Sequence, residues 1–112
     1  MKKIFNNFLN SLNGLKIGFK EHSFIIEIIG GVFLIPYLII ADLETILKIS
    51  IIMTYFILLA FELLNTAIEL LSDKITKDFD LDIKKIKDTS SAAVFVILLL
   101  LIILIILSFL IF

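Results

Sequence analysis

The chain has 112 residues, of which 61% are hydrophobic, with a mean hydropathy of +1.17 and a formal net charge of −1. Because ordinary globular proteins are about 45–50% apolar, this composition predicts a single all-α domain integrated into a lipid bilayer. The chain has no Lys/Arg block, which gives no reason to expect nucleic acid as a partner, and it has no cysteine, which excludes disulfides and thiolate chemistry.

The first predicted element is an amphipathic helix over about residues 4–20 that lies in the membrane interface. Its apolar side chains recur at helical spacing opposite asparagines and lysines, although two glycines weaken the pattern. The apolar positions are Ile4, Phe5, Phe8, Leu9, Leu12, Leu15 and Phe19.

Three apolar segments follow, and each is long enough to cross a bilayer: about residues 24–41, 46–71 and 92–112. Thr89 is interpreted as lying at the start of the third helix, after a connection over residues 73–88. Nine of the ten lysines lie before the first segment or in that connection. The positive-inside rule therefore predicts that the N-terminus and the 73–88 connection are cytoplasmic.

Five polar side chains interrupt the second span, and at about 100° per residue they fall within about 100° of arc. They are Glu62, Asn65, Thr66, Glu69 and Asp73. Counted from Lys48 at about 1.5 Å per residue, Glu62 lies about 21 Å across the membrane and Glu69 about 31 Å. Carboxylates are costly in hydrocarbon, so the stripe indicates a functional site at the cytoplasmic boundary.

The chemistry of this stripe is open on the residues alone. Carboxylates at the inner boundary could hold a hard cation such as Mg²⁺ and, through it, a nucleotide. The chain contains no glycine-rich phosphate-binding loop. Polar residues can also join membrane helices by hydrogen bonds, which is the structural interpretation of the same stripe.

Three stretches of the sequence resemble one protein family. They are F-E-L-L-N-T-A-I-E-L-L-S-D at 61–73, K-D-T-S-S-A-A-V at 87–94 and K-E-H-S-F-I-I-E at 20–27. The strings are long and specific, and they resemble the small prokaryotic diacylglycerol kinases and their close relatives, the undecaprenol kinases. The resemblance covers essentially the whole chain. It implies an ATP- and Mg²⁺-dependent lipid kinase, a homotrimer in the bacterial inner membrane.

The resemblance also implies roles for particular residues. Glu62 would be the general base that takes the proton from the lipid hydroxyl, and Glu21 and Glu69 would bind Mg²⁺ and ATP. Asn65 and Ser91 would lie beside the lipid substrate.

Further nucleotide and lipid contacts follow from the same resemblance. Lys87 and Asp88 would contact the nucleotide, with Lys87 facing phosphate oxygens. The more peripheral expected contacts with ATP are Asn10, Asp78, Phe79 and Asp80, and Lys3 is an expected contact with the lipid. Three of these depart from the family pattern: Asn10 stands where the family often has tyrosine, Asp80 where it has histidine, and Lys3 where it has arginine.

The expected reaction is phosphorylation of diacylglycerol to phosphatidic acid, with undecaprenol as the alternative lipid. A small ion or proton carrier is a hypothesis of another class, as is a structural membrane subunit. The carrier hypothesis is disfavoured because the third span has no ionisable side chain and the first has only Glu27. The roles of Glu27 and His22 stay open.

Overall fold

The computed structural model describes residues 1–111, and in that part of the chain it forms four α-helices. They are α1 (Lys2–Gly18), α2 (His22–Ile40), α3 (Thr45–Ile75) and α4 (Leu81–Ile111). The central helix is α3, against which α1, α2 and α4 all pack. Helices α2, α3 and α4 are long and apolar enough to cross a membrane. The all-α prediction and its three candidate spans are confirmed.

The start of α4 differs from the prediction. The Asp80 carboxylate Oδ1 accepts hydrogen bonds from the backbone N–H groups of Asp82 (2.9 Å) and Ile83 (3.1 Å). This satisfies donors that the first turn of a helix otherwise leaves without partners, so the helix begins at Leu81. The interpretation of Thr89 as a helix start is wrong: Thr89 lies inside α4 and its hydroxyl donates to the Lys85 carbonyl at 2.7 Å.

Helices α3 and α4 are longer than a bilayer requires. Each has 31 residues, which corresponds to about 45 Å against a hydrocarbon core of about 30 Å. Both are therefore long enough to continue beyond a bilayer as an antiparallel pair, and only residues 76–80 connect them. The predicted 73–88 connection is helical over most of its length. The predicted third span ends at Phe112, which lies outside the described residues.

The buried core runs along α3, where Ile51 and Leu58 are almost completely enclosed. Tyr55, on the same face, lies against Gly31 of α2 so closely that a Cβ at position 31 would overlap its hydroxyl. By contrast, the apolar side chains of α1 are exposed and Gly18 is its one buried residue. The interfacial position of α1 and the homotrimer stay predictions.

Candidate active site

A small polar cavity of about 40 Å³ lies where the corner between α1 and α2 meets α3. Its lining includes four residues that the sequence predicted for the site, Glu21, Glu62, Asn65 and Glu69. Glu21 immediately precedes α2, and the other three share one face of α3 because they are spaced three to four residues apart. The cavity can hold about one water molecule or ion.

Burial differs among these carboxylates. Glu62 is only 6% exposed, whereas Glu21 and Glu69 are half-buried. The Thr66 hydroxyl donates to the Glu62 backbone carbonyl at 3.1 Å, one turn earlier in α3. Thr66 therefore does not donate this proton to the Glu62 carboxylate. The cavity thus has one buried carboxylate and two that are partly exposed.

Asn65 links the cavity residues to one another. Its Nδ2 donates to Glu69 Oε1 at 3.1 Å, which orients that carboxylate. Its Oδ1 is buried and has no hydrogen-bond donor, an unusual condition for a buried amide oxygen. The oxygens of Glu21, Asn65 and Glu69 are all hard ligands of the type that Mg²⁺ prefers.

Residues 1–111 hold no ready cluster of three or more histidine, aspartate or glutamate side chains around a metal position. A cation in this cavity would therefore need ligands beyond the carboxylates of one chain, such as phosphate oxygens or water. Mg²⁺ usually keeps several such ligands, so the donor set fits a metal that arrives with a nucleotide.

Lys87 and Asp88 lie near the start of α4, and neither lines the polar cavity. Lys87 Nζ pairs with Asp73 Oδ1 at 2.7 Å across the α3–α4 contact, and Lys84 Nζ pairs with Asp88 Oδ2 at 2.6 Å. These pairs are substantially exposed, and exposed ion pairs contribute little net stability. Lys87 can therefore exchange Asp73 for another anion at low cost.

Comparison with known protein families matches residues 9–109 to the prokaryotic diacylglycerol kinases. This match covers nearly the whole chain. The chain belongs to the prokaryotic diacylglycerol kinase family. Membership implies a lipid kinase of the diacylglycerol or undecaprenol kinase type, which uses a nucleotide and a lipid substrate in a membrane. No curated protein matches the chain at a significant level.

The other predicted site residues of this kinase lie outside the polar cavity. Lys3 and Asn10 are exposed on α1, Asp78 and Phe79 are exposed in the connection after α3, and Ser91 is exposed on α4. The carboxylate of Asp80, the last of the four peripheral contacts expected with ATP, caps α4. A single chain does not gather these residues into one site.

A larger apolar groove of about 510 Å³ runs between α3 and α4 and adjoins the cavity, because Asn65 lines both. Lys85, Thr89 and Ser90 give one side of it a polar edge. Ser90, on this groove, and Ser91, which the sequence singled out, are neighbours on α4. The groove offers the kinase an apolar surface next to its carboxylates.

Sequence reasoning assigned no role to several residues that the structure places at the site. Thr66 and Asp73 belonged to the polar stripe, so the helical periodicity had already marked them. Ser23 and Phe24 line the cavity from the first turn of α2, and only the folded corner between α1 and α2 brings them there. The partnership of Asp73 with Lys87 likewise depends on how α3 meets α4.

Proposed function

We propose that this kinase transfers the γ-phosphoryl group of ATP to the hydroxyl of diacylglycerol and so produces phosphatidic acid. Undecaprenol is the alternative acceptor. The observation that carries the proposal is a polar cavity in which a buried Glu62 lies beside Glu21, Asn65 and Glu69, next to an apolar groove. The groove supplies a surface for a lipid, and the carboxylates supply proton and metal chemistry.

Glu62 acts as the general base in this proposal. Its carboxylate removes the hydroxyl proton as the lipid oxygen attacks the γ-phosphorus, and ADP leaves as the bond to the bridging oxygen breaks. Its depth suits this role, because a base inside the leaflet can meet an alcohol that is dissolved in the membrane. Positioning and charge neutralisation supply most of the catalysis in phosphoryl transfer.

Glu21 and Glu69 would hold Mg²⁺, and the buried Asn65 Oδ1 without a donor supports this assignment because it is a further oxygen ligand at the same place. The metal would neutralise charge on the ATP phosphates. Asn65 would fix the Glu69 carboxylate through its amide hydrogen bond. These residues therefore bind and orient the nucleotide end of the reaction.

Lys87 would exchange its contact with Asp73 for the ATP phosphates, and Asp88 beside it would contact the nucleotide. Asn10, Asp78 and Phe79 would complete the nucleotide site from α1 and the 76–80 connection. The assignment of Asp80 is weakened because its carboxylate already caps α4. Ser91 and Lys3 would contact the lipid.

These contributions come from separated parts of the chain, which supports a homotrimer with sites shared between subunits. The proposed setting is the bacterial inner membrane, with the N-terminus and the 76–80 connection in the cytoplasm, where ATP is available. Single cysteines at Lys77 and Glu44 test this orientation, since the chain has no native cysteine. In sealed cells an impermeant reagent should label position 44 and not position 77.

Radiolabelled ATP tests the reaction directly. Purified protein in mixed micelles with either diacylglycerol or undecaprenol should transfer the γ-label, and chromatography identifies the product. Labelled phosphatidic acid is the expected result. Label in undecaprenyl phosphate alone would select the alternative acceptor, and label in neither lipid would overturn the proposal.

A further inference from the structure

Lys85 is a cationic side chain of α4 to which the proposed mechanism gives no role. It lines the apolar groove between α3 and α4, and among the described residues of that lining it is the only charged one. In the part of the chain that the structure describes it belongs to no ion pair, whereas Lys84 pairs with Asp88 and Lys87 pairs with Asp73. Its ammonium group is therefore available to an added anion.

The rotation of α4 separates Lys85 from the neighbouring lysines. At about 100° per residue, Lys84 lies about 100° and Lys87 about 200° around the helix from Lys85. Neither of them lines the groove. Lys85 shares its face of α4 with Thr89 and Ala93, which follow at helical spacing and line the same groove. Lys85 and Lys87 therefore face different surroundings.

The groove is charged at one end and apolar over the rest of its length. Lys85 is the lining residue of α4 closest in sequence to the 76–80 connection, and Ala93 lies about 12 Å further along the helix. Three of the four lining residues from α3 are apolar: Phe61, Leu64 and Ile68. A groove of about 510 Å³ with this polarity fits a molecule that has apolar chains and one anionic head group.

Charge distinguishes the lipid substrate of the proposed reaction from its product. Diacylglycerol and undecaprenol are both neutral alcohols, so an ammonium group makes no charge-assisted pair with either. Each phosphorylated lipid carries a phosphate monoester, a group with a charge of about −1.5 to −2 at pH 7. Hydrogen bonds between an ammonium and a phosphate are among the stronger ones in proteins. A lysine in the groove therefore suits the product better than the substrate.

We propose that Lys85 binds the phosphate monoester of the phosphorylated lipid, so that the groove holds its product more tightly than its substrate. The inference rests on the proposed function, in which the groove receives the lipid and the polar cavity carries out the transfer. Groove and cavity join at Asn65, so the new phosphate forms beside the groove that Lys85 lines. Product must leave before the next lipid enters, and the reaction slows as phosphorylated lipid accumulates in the membrane.

Equilibrium dialysis of a short-chain product tests the contact without relying on kinase activity. Purified protein in nonionic micelles should bind radiolabelled dihexanoyl phosphatidic acid in excess of protein-free micelles. Lys85→Gln keeps most of the side-chain length and removes the charge, so the Kd should rise about three- to tenfold, while Lys85→Arg should stay near wild type. Lys84→Gln removes the same charge outside the groove and should leave this Kd unchanged.

The same measurement has outcomes that would overturn the inference. Absence of saturable binding to the wild-type protein is one. An equal loss of affinity in Lys84→Gln is another, because it would indicate a general attraction to anionic head groups. A higher KM for ATP in Lys85→Gln, with the Kd for dihexanoyl phosphatidic acid unchanged, would assign the lysine to the nucleotide. Equal competition by dihexanoyl phosphatidylcholine, which has no phosphate monoester, would show that the groove recognises only the chains.

Product inhibition connects the contact to turnover. In the micelle assay, phosphatidic acid should compete with diacylglycerol, and its Ki should rise about three- to tenfold in Lys85→Gln. The KM for the neutral diacylglycerol should stay nearly constant. An equal rise in Ki and KM would mean that Lys85 only shapes the groove.

The proposed function can fail separately from this inference. With undecaprenol as the acceptor, undecaprenyl phosphate replaces phosphatidic acid in both measurements. A wild-type protein that binds phosphatidic acid through Lys85 and phosphorylates neither lipid would overturn the proposed function alone. A protein that phosphorylates its lipid and binds the product equally well with and without the Lys85 charge would overturn the inference alone.

Discussion

Two polar contacts within the helix bundle differ in one respect that bears on function. Near the far end of α2, the fully buried Ser108 hydroxyl donates to the Ile105 carbonyl at 2.6 Å and accepts from the Tyr37 hydroxyl at 2.9 Å. Tyr37 must be the donor, because Ser108 has one proton and has already given it. Near the start of α2, Asn65 Oδ1 and Glu27 Oε1 are buried without donors.

Both ends of the bundle contain buried polar groups, and they differ in whether those groups have hydrogen-bond partners. A polar pair whose donors and acceptors are all matched joins helices and needs nothing further. A buried oxygen without a donor is an unsatisfied acceptor, and a metal ion, a proton or a substrate can satisfy it. The comparison gives Tyr37 and Ser108 a structural role, and it makes the cavity around Glu62 the candidate for chemistry.

The largest expected effect is at Glu62. Glu62→Gln keeps the shape of the side chain and removes the proposed base, so turnover should fall about 10²- to 10⁴-fold while the Kd for ATP stays nearly constant. Glu44→Gln is the matched control at an exposed carboxylate and should change neither quantity. If the stripe only joins helices, Glu62→Gln would keep near-normal turnover and Glu62→Leu would dissociate the oligomer, which size measurement would reveal.

The next effect concerns the carboxylates nearer the entrance of the cavity. Glu21→Gln and Glu69→Gln each remove one proposed Mg²⁺ ligand, so the apparent affinity for Mg²⁺ should fall about 10- to 100-fold. Activity should recover in part at high Mg²⁺, and titration of activity with Mg²⁺ measures both changes. An unchanged Mg²⁺ dependence in both variants would refute the metal assignment.

A smaller effect is expected at the ion pair between α3 and α4. Lys87→Ala removes the proposed contact with the ATP phosphates and should raise the KM for ATP about tenfold, as the loss of one charge-assisted hydrogen bond does. Asp73→Asn is the matched variant, because it removes the partner and leaves the lysine free. Its KM should stay the same or fall. Similar behaviour of the two variants would mean that the pair only holds the helices together.

The smallest effect belongs to the satisfied contact at the far end. Tyr37→Phe removes one interhelical hydrogen bond and should lower the unfolding free energy by about 0.6 kcal/mol, and by at most about 1.7 kcal/mol. Kinase activity should not change, because both atoms lie away from the polar cavity. Unfolding in micelles and the phosphorylation assay measure the two quantities. A large loss of activity would show that a polar contact with all its hydrogen bonds made also contributes to the reaction.

The candidate site was predictable to the extent that it lies on one helix. Glu62, Asn65 and Glu69 share a face of α3 because of helical periodicity, which the residues alone reveal. Glu21 came from the family resemblance, since no periodicity relates it to α3. The partner of Asp73 was not predictable, because it lies on another helix and depends on how α3 and α4 are rotated against each other.

The sequence by itself determined the all-α membrane fold, the three candidate spans, the family and the polar face of α3, because hydropathy and helical period are local properties. The start of α4 is also a local property, because the cap formed by Asp80 sets it. Only the tertiary structure decided which anion holds Lys87 and which backbone group accepts from the Tyr55 hydroxyl. Both depend on contacts between parts of the chain that are distant in sequence. The close fit of Tyr55 over Gly31 fastens the turn of α2 that carries Glu27 to α3, and that fit exists only once α2 and α3 have packed together.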